Sequence, residues 1–191
     1  MLIYRPLKTE CKTQGYGKDG TIPSLLPAYN KIGLAYHNGI DWACYYQEPI
    51  YWNFDKRGTV TYTQNDLTSG VGVEILVEYS EGVFKVQMWH FAENGLVVKK
   101  GDVLESGQLI GYGNSTGMST GNHLHFGLKP QMKDANGNYY TPNKDNGMLG
   151  CIDPMPYYDN TFIVDLMKNL QAQIGILQKL INLISELLKG R

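Results

Sequence analysis

The chain contains four histidines, and each stands in a setting where an imidazole could do chemistry. In His37-Asn38-Gly39-Ile40-Asp41 an imidazole and a carboxylate are four positions apart, and in His123-Leu124-His125 two imidazoles are two apart. Side chains two or four residues apart on extended backbone leave the same face, so each segment would present a pair of donors to one side. His90 lies in the apolar run Met88-Trp89-His90-Phe91. Imidazole and carboxylate donors gathered from strand faces suit the borderline-soft Zn²⁺ ion. A hydrolytic zinc site takes three protein ligands and keeps one position for a water whose pKa it lowers to roughly 7. Such a site also uses an uncoordinated group to move the proton and another to hold the developing oxyanion. Those roles add up to five groups, which four histidines and Asp41 supply with none left over.

Taken singly, each fragment has a plainer reading. A lone His-x-His is usually a strand coincidence, and His90 alone reads as a partly buried histidine bonded to a carbonyl. Their joint occurrence, which uses every histidine in the chain, points to a metal site. Spacing does not say which of the five residues hold the metal.

Such groups need rigid extended elements to position them, and residues 1–158 read as β-rich. Glycine (22) and tyrosine (14) are abundant, and β-prone runs alternate with turn signals. Strands are predicted at 58–63, 72–79, 83–91, 108–113 and 123–128. The runs 73–79 and 83–89, joined through Ser80-Glu81-Gly82, predict a hairpin. A second, surface hairpin is predicted at 133–140 around Asn136-Gly137. The fold class expected is mainly β: a twisted antiparallel sheet with a groove, followed by a C-terminal helix.

Composition changes after residue 158, which divides the chain into a domain of residues 1–158 and a segment of residues 160–191. Apolar residues Ile163, Met167, Leu170, Ile174, Leu177, Ile181, Ile184 and Leu188 recur at heptad spacing, with Leu166, Leu180 and Leu187 widening the stripe. This predicts an amphipathic helix that forms a coiled coil of three or more strands, giving a homo-oligomer or a docking point in an assembly. Packing on its own domain and lying on a membrane surface are the alternatives. Few basic residues (Lys168, Lys179, Lys189, Arg191) argue against the membrane.

A net charge of -1 from 17 basic and 18 acidic residues gives no pull toward nucleic acid. Cys11, Cys44 and Cys151 are widely spaced and odd in number, so buried free thiols are expected rather than a disulfide framework. No run approaches the ~18 to 20 apolar residues of a membrane-spanning helix, and the first residues lack the apolar core of a secretory signal. Synthesis in the cytoplasm without a conventional export signal is expected. Nothing carries the Lys-Ser/Thr ending of a phosphate loop.

The ordered set His37-to-Asp41, Met88-to-Phe91, Val98-to-Gly111, Gly113-to-Phe126 and Asp153-Pro154 resembles the lysostaphin-type (LytM-like) zinc metallopeptidases. The resemblance runs from about residue 36 to residue 154. It implies one Zn²⁺ per chain, bound by His37, Asp41 and His125, with His90 and His123 as general base and electrostatic stabiliser. It also implies peptidoglycan peptides of the bacterial cell wall as substrate, with glycyl bridges and D-Ala–diaminopimelate cross-links both open. A chain of this kind without an export signal would suit a bacteriophage lysin or a virion part. Residues 114–121 would form a groove wall, and the aromatics Tyr36, Trp42, Tyr45, Tyr46, Tyr51 and Trp52 either pack in the core or line the groove. Two departures stand out. Met88 replaces a tyrosine common two residues before the second motif's histidine, and the stretch 131–151 is long enough to reshape the groove. A non-catalytic wall-binding or regulatory role is the rival; such relatives characteristically lose ligands, and here all are kept. A lipoyl-type carrier is a remote third reading, from the Gly101-to-Gly111 turns, but lacks a modifiable lysine in a hairpin.

Overall fold

The computed structural model describes residues 1–158 except 10, 68 and 69, and residues 174, 175, 177–182, 184 and 185 of the C-terminal segment. Met1–Tyr158 and Asp159–Arg191 are separate compact units. In the second unit the described residues are helical. Ile174, Leu177, Leu180, Ile181 and Ile184 there are exposed. The remainder of the predicted heptads lies outside the described residues. No helix among the described residues is long and apolar enough to cross a membrane.

The first unit is mainly antiparallel β, as expected. Its strands are β1 (Lys12–Gln14), β2 (Ile40–Ala43), β3 (Pro49–Trp52), β4 (Gly58–Asp66) and β5 (Gly70–Tyr79), followed by β6 (Gly82–Leu96), β7 (Val103–Leu104), β8 (Gln108–Gly113), β9 (His123–Lys133) and β10 (Tyr139–Tyr140). They form one 10-stranded sheet with the central order β1-β2-β9-β6-β5-β4-β7. The strand predicted at 108–113 matches β8, and the other four run longer than predicted. The two predicted hairpins are present, with Tyr79 opposite Gly82 and Tyr139 opposite Lys133. Short helices α1 (Gly17–Gly20) and α2 (Leu26–Lys31) were not singled out by the sequence pattern.

Period-two burial explains how the sheet is seated. Val71, Val73, Ile75 and Val77 of β5, and Leu124, Phe126 and Leu128 of β9, are all essentially inaccessible. They meet Ile3, Trp52 and Phe54 in one core, where the Trp52 and Phe54 rings stack at 3.9 Å between centroids. The intervening residues of β9, His123 and His125, therefore occupy the opposite, open face. Trp42 and Trp52 are buried while Tyr45 and Tyr46 are exposed. None of the six aromatics named from the sequence lines the groove described below. The cysteines are free, but Cys11 is exposed, which corrects the expectation of three buried thiols. Its strand-edge position before β1 offers no core to enter.

Candidate metal centre

Strand register brings the first two donors together. Asp41 on β2 pairs directly with His125 on β9, and cross-strand partners share a face. His125 Nδ1 lies 2.9 Å from Asp41 Oδ1. His37, four residues before Asp41, places Nε2 at 3.1 Å from the same oxygen and 3.0 Å from His125 Nδ1. His37 and Asp41 are buried and the His125 side chain is 12% exposed, and the donor atoms of the three lie within 4.8 Å of one another. Gly39 makes this approach feasible. A Cβ there would fall 2.4 Å from the Phe126 carbonyl oxygen and 2.8 Å from His125 Cε1, so any side chain would displace the ring.

The donor set fits a cation on chemical grounds. His37 Nδ1 is 2.6 Å from the Gly15 carbonyl oxygen, an acceptor only, so Nδ1 carries the hydrogen and Nε2 presents a lone pair. This orienting bond is the usual companion of a metal-ligating histidine. That lone pair faces a carboxylate oxygen and a second imidazole nitrogen, an arrangement that a positive charge at the centre relieves. A zinc tetrahedron with bonds of about 2.0–2.1 Å has edges of about 3.3 Å, so each donor need move only a few tenths of an ångström outward. Burial drives the Asp41 carboxyl up, but hydrogen bonds from His125 and His37 overcome this and hold it well below the usual carboxylate range. Burial is also the main cause that lowers His125, against the opposing pull of Asp41.

His90 reaches the open face through a backbone irregularity. Val71 pairs with Phe91 and Gly72 with Trp89, a register shift that leaves His90 as the extra residue. Its φ is 73°, in the left-handed region that non-glycine residues rarely adopt. Strict alternation after buried Met88 would send His90 into the core. The bulge instead re-aims it, a common use of bulges near sites, and returns Phe91 to the core at 0% exposure. His90 Nδ1 donates to the Thr116 carbonyl at 2.7 Å. Thr116 is itself fixed, since its hydroxyl donates to the Phe91 carbonyl at 2.6 Å and accepts from Val71 N–H at 2.9 Å. Burial, then the neighbouring His123 and His125, pull His90 down to about 4.

His123 Nδ1 donates to the Gly121 carbonyl at 2.8 Å, which leaves Nε2 bare, 3.7 Å from Asp41 Oδ2. Asn114 ties the two histidines together, its N–H bonding His90 O and its carbonyl bonding His123 N–H. The His90 and His123 rings are 4.5 Å apart between centroids. Thus the structure gathers all five residues singled out from the sequence. Three converge on one point, and two sit alongside with an unprotonated nitrogen each.

A groove runs over this cluster. On one side a cavity of about 530 Å³ is lined by His37, His90, His125, Trp89, Lys129 and Leu149, among others. On the other side a cavity of about 330 Å³ reaches past His123 to Thr13, Ile22 and Leu25. Both share Tyr29, Asp41 and Met118. Leu149 comes from the long 131–151 stretch, which therefore does shape the groove. Several contributors were not foreseen from the sequence. The Tyr29 ring stacks on His37 at 5.8 Å, with its hydroxyl accepting from Gln14 at 2.9 Å. Thr21 Oγ1 accepts the His37 N–H at 2.8 Å. Gly15 and Thr116 act through backbone oxygens, which no residue type announces.

The profile of peptidase family M23 matches residues 35–142, more than half the chain, and the chain belongs to that family. It is similar to the peptidoglycan DD-endopeptidase ShyA of Vibrio cholerae, 34% identical over 95 residues that make up 50% of this chain and 20% of that protein. It is also similar to the glycyl-glycine endopeptidase ALE-1 of Staphylococcus capitis, 42% identical over 57 residues, 30% of this chain and 15% of that protein. The chain thus spans at most a fifth of the length of these curated relatives. Among solved structures it resembles a zinc-containing peptidase from Vibrio cholerae (TM-score 0.52, 26% identity, covering 66% of this chain and 36% of that one). It likewise resembles the catalytic domain of lysostaphin from Staphylococcus simulans (TM-score 0.52, 25% identity, covering 77% and 90%).

Proposed function

We propose that this chain is a zinc-dependent endopeptidase that hydrolyses peptide bonds in bacterial peptidoglycan, with His37, Asp41 and His125 as ligands and His90 and His123 as catalytic residues. The observation that carries the reading is the convergence of the three ligand atoms within 4.8 Å between two cavities, beside two imidazoles fixed as acceptors by carbonyl bonds. Bound zinc would supply Lewis acidity, polarising a carbonyl and making water nucleophilic near neutral pH. His90 and His123 do the proton work. A bare Nε2 takes the proton released as the new C–O bond forms. Once protonated, that nitrogen becomes a donor to the leaving amine as the C–N bond breaks, while the other histidine steadies the scissile carbonyl oxygen. The buried Asp41 charge, 3.7 Å from His123 Nε2, supports the cation formed there. Retention of all five polar groups speaks against a non-catalytic role.

The similarity to ShyA and ALE-1, which are named for different bonds, supports wall peptides as the substrate class. Digestion of purified walls by zinc-loaded protein, with mass analysis of released fragments, tests this directly. Release of new amino termini from stem or bridge peptides is expected; intact peptides after prolonged digestion would refute it. The finer reading is a wall-degrading lysin of phage or virion origin, assembled or docked through residues 160–191. Exposed Ile174, Leu177, Ile181 and Ile184 on helical positions support that assembly role. Light scattering before and after removal of residues 160–191 should show a fall in assembly size, and an unchanged monomer would exclude it.

A further inference from the structure

The larger cavity is lopsided in charge. Its lining includes one lysine, Lys129, no arginine, and no carboxylate besides Asp41. Lys129 lies four residues beyond His125 on β9, so both side chains leave the same strand face, about 13 Å apart at the backbone. Between them on that face stands Gly127, which contributes no side chain and is itself buried; a Cβ there would fall 3.4 Å from the Asn38 carbonyl oxygen and 3.5 Å from the Gln87 side chain, both of which line the same cavity. The residue paired with Lys129 on β6 is another cation, Lys85.

Glu74 does not neutralise Lys129, because its own partners are already in place. Lys85 Nζ lies 2.9 Å from one of its oxygens, and Gln87 donates to the other at 2.6 Å. The Cys151 thiol that interacts with Lys129 is pushed up to about 11 by burial, so it offers no negative charge near neutral pH. The Lys129 side chain makes no hydrogen bond or ion pair among the described residues. A half-buried ammonium whose cationic neighbour Lys85 is already balanced by Glu74 leaves one uncompensated positive charge on a groove wall of low dielectric, where substrate must lie. Its four-carbon stem lets the head sweep along the floor.

We propose that Lys129 is a specificity residue that binds a substrate carboxylate in the larger cavity. This rests on the endopeptidase reading and sharpens it. It favours a cross-link built on diaminopimelate, which carries a carboxylate beside the linkage, over a glycyl bridge, which carries none along its length.

The test uses full-length zinc-loaded protein and matched cross-linked stem peptides. One has all its carboxyl groups free, one has the diaminopimelate carboxyl amidated, and one has the glutamyl α-carboxyl amidated. Wild type should favour the free peptide over one amidated form by about tenfold in kcat/KM, the effect of one charge-assisted hydrogen bond at a half-exposed site. Whichever amidation costs this factor identifies the carboxylate. Lys129→Met should bring that ratio to about one, and Lys129→Arg should keep most of it. Ratios near one for both amidations in wild type, or a preference that survives in Lys129→Met, overturn the proposal. If wild type cleaves none of the peptides, the endopeptidase reading has failed. The dissociation constants of the same peptides, measured by calorimetry on wild type and Lys129→Met, then decide the role of Lys129 by the same ratios.

Discussion

The floor and the rim of the groove are built on different physics. The floor is β2, β6 and β9, where ladder register sets position: Asp41 stands opposite His125, and Trp89 pairs with His125 from the other side. The rim is the short helix α1 with its flanking residues at 15–21 and irregular backbone at 114–121 and 142–150, which contribute carbonyl and hydroxyl groups and the apolar side chains of Met118 and Leu149. The Gly15, Thr116 and Gly121 carbonyls each fix one histidine tautomer. The difference teaches that the sheet decides where the nitrogens are, and the loops decide which nitrogen of each ring is free.

Substitutions on the two regions should separate these contributions. The largest effect is expected at the floor. Zinc content of purified wild type should approach one per chain, and His125→Ala should lose most of it, because two remaining ligands hold a catalytic zinc poorly. Full occupancy in that variant, measured by elemental analysis, would remove His125 from the ligand set. Next comes His123→Ala, which should keep the zinc while wall hydrolysis falls by roughly 10² to 10⁴, the range of a general acid–base group. Wild-type rates there would strike His123 from the mechanism. The smallest effect belongs to the rim. Thr116→Val removes two buried hydroxyl hydrogen bonds and should cost about 1–3 kcal/mol in stability. It should also lower kcat more than it raises KM, with zinc retained. Thr116→Ser should restore both, and a kcat equal to wild type in Thr116→Val would show that His90 needs no such support.

The same division explains what could be read in the sequence. Floor strands advertise themselves through alternation, so His123 and His125 on one face, with Leu124 and Phe126 on the other, follow from periodicity alone. The five polar groups were identifiable by type and by count. His90 was legible as a residue but not as a geometry, because nothing in Met88-Trp89-His90-Phe91 signals the bulge that turns it outward. Gly72 was one local trace of that region. A Cβ there would lie 2.1 Å from the Trp89 ring, yet a glycine in a strand does not say which neighbour crowds it. Rim contributions were hidden more thoroughly. A carbonyl oxygen belongs to every residue, and Tyr29 stacks on His37 through a tertiary contact that no spacing encodes. The aromatics near the first motif misled for a related reason: aromatic content reports apolar surface to be buried, and Trp42 and Trp52 bury it in the core.

One consequence of the register concerns the order in which the molecule comes apart. β2 has four residues and joins the N-terminal strand β1 to the rest of the sheet by its pairing with β9. Asp41 and His125 face each other across that seam, and His37 closes the triangle from the chain just ahead of β2. A cation bound there would be a cross-link, riveting the sheet margin to its centre as a covalent bridge would. Stripped of metal, the protein should fray at this margin first. Protease would then cut within residues 1–36 while the long central ladders of β5, β6 and β9 still hold.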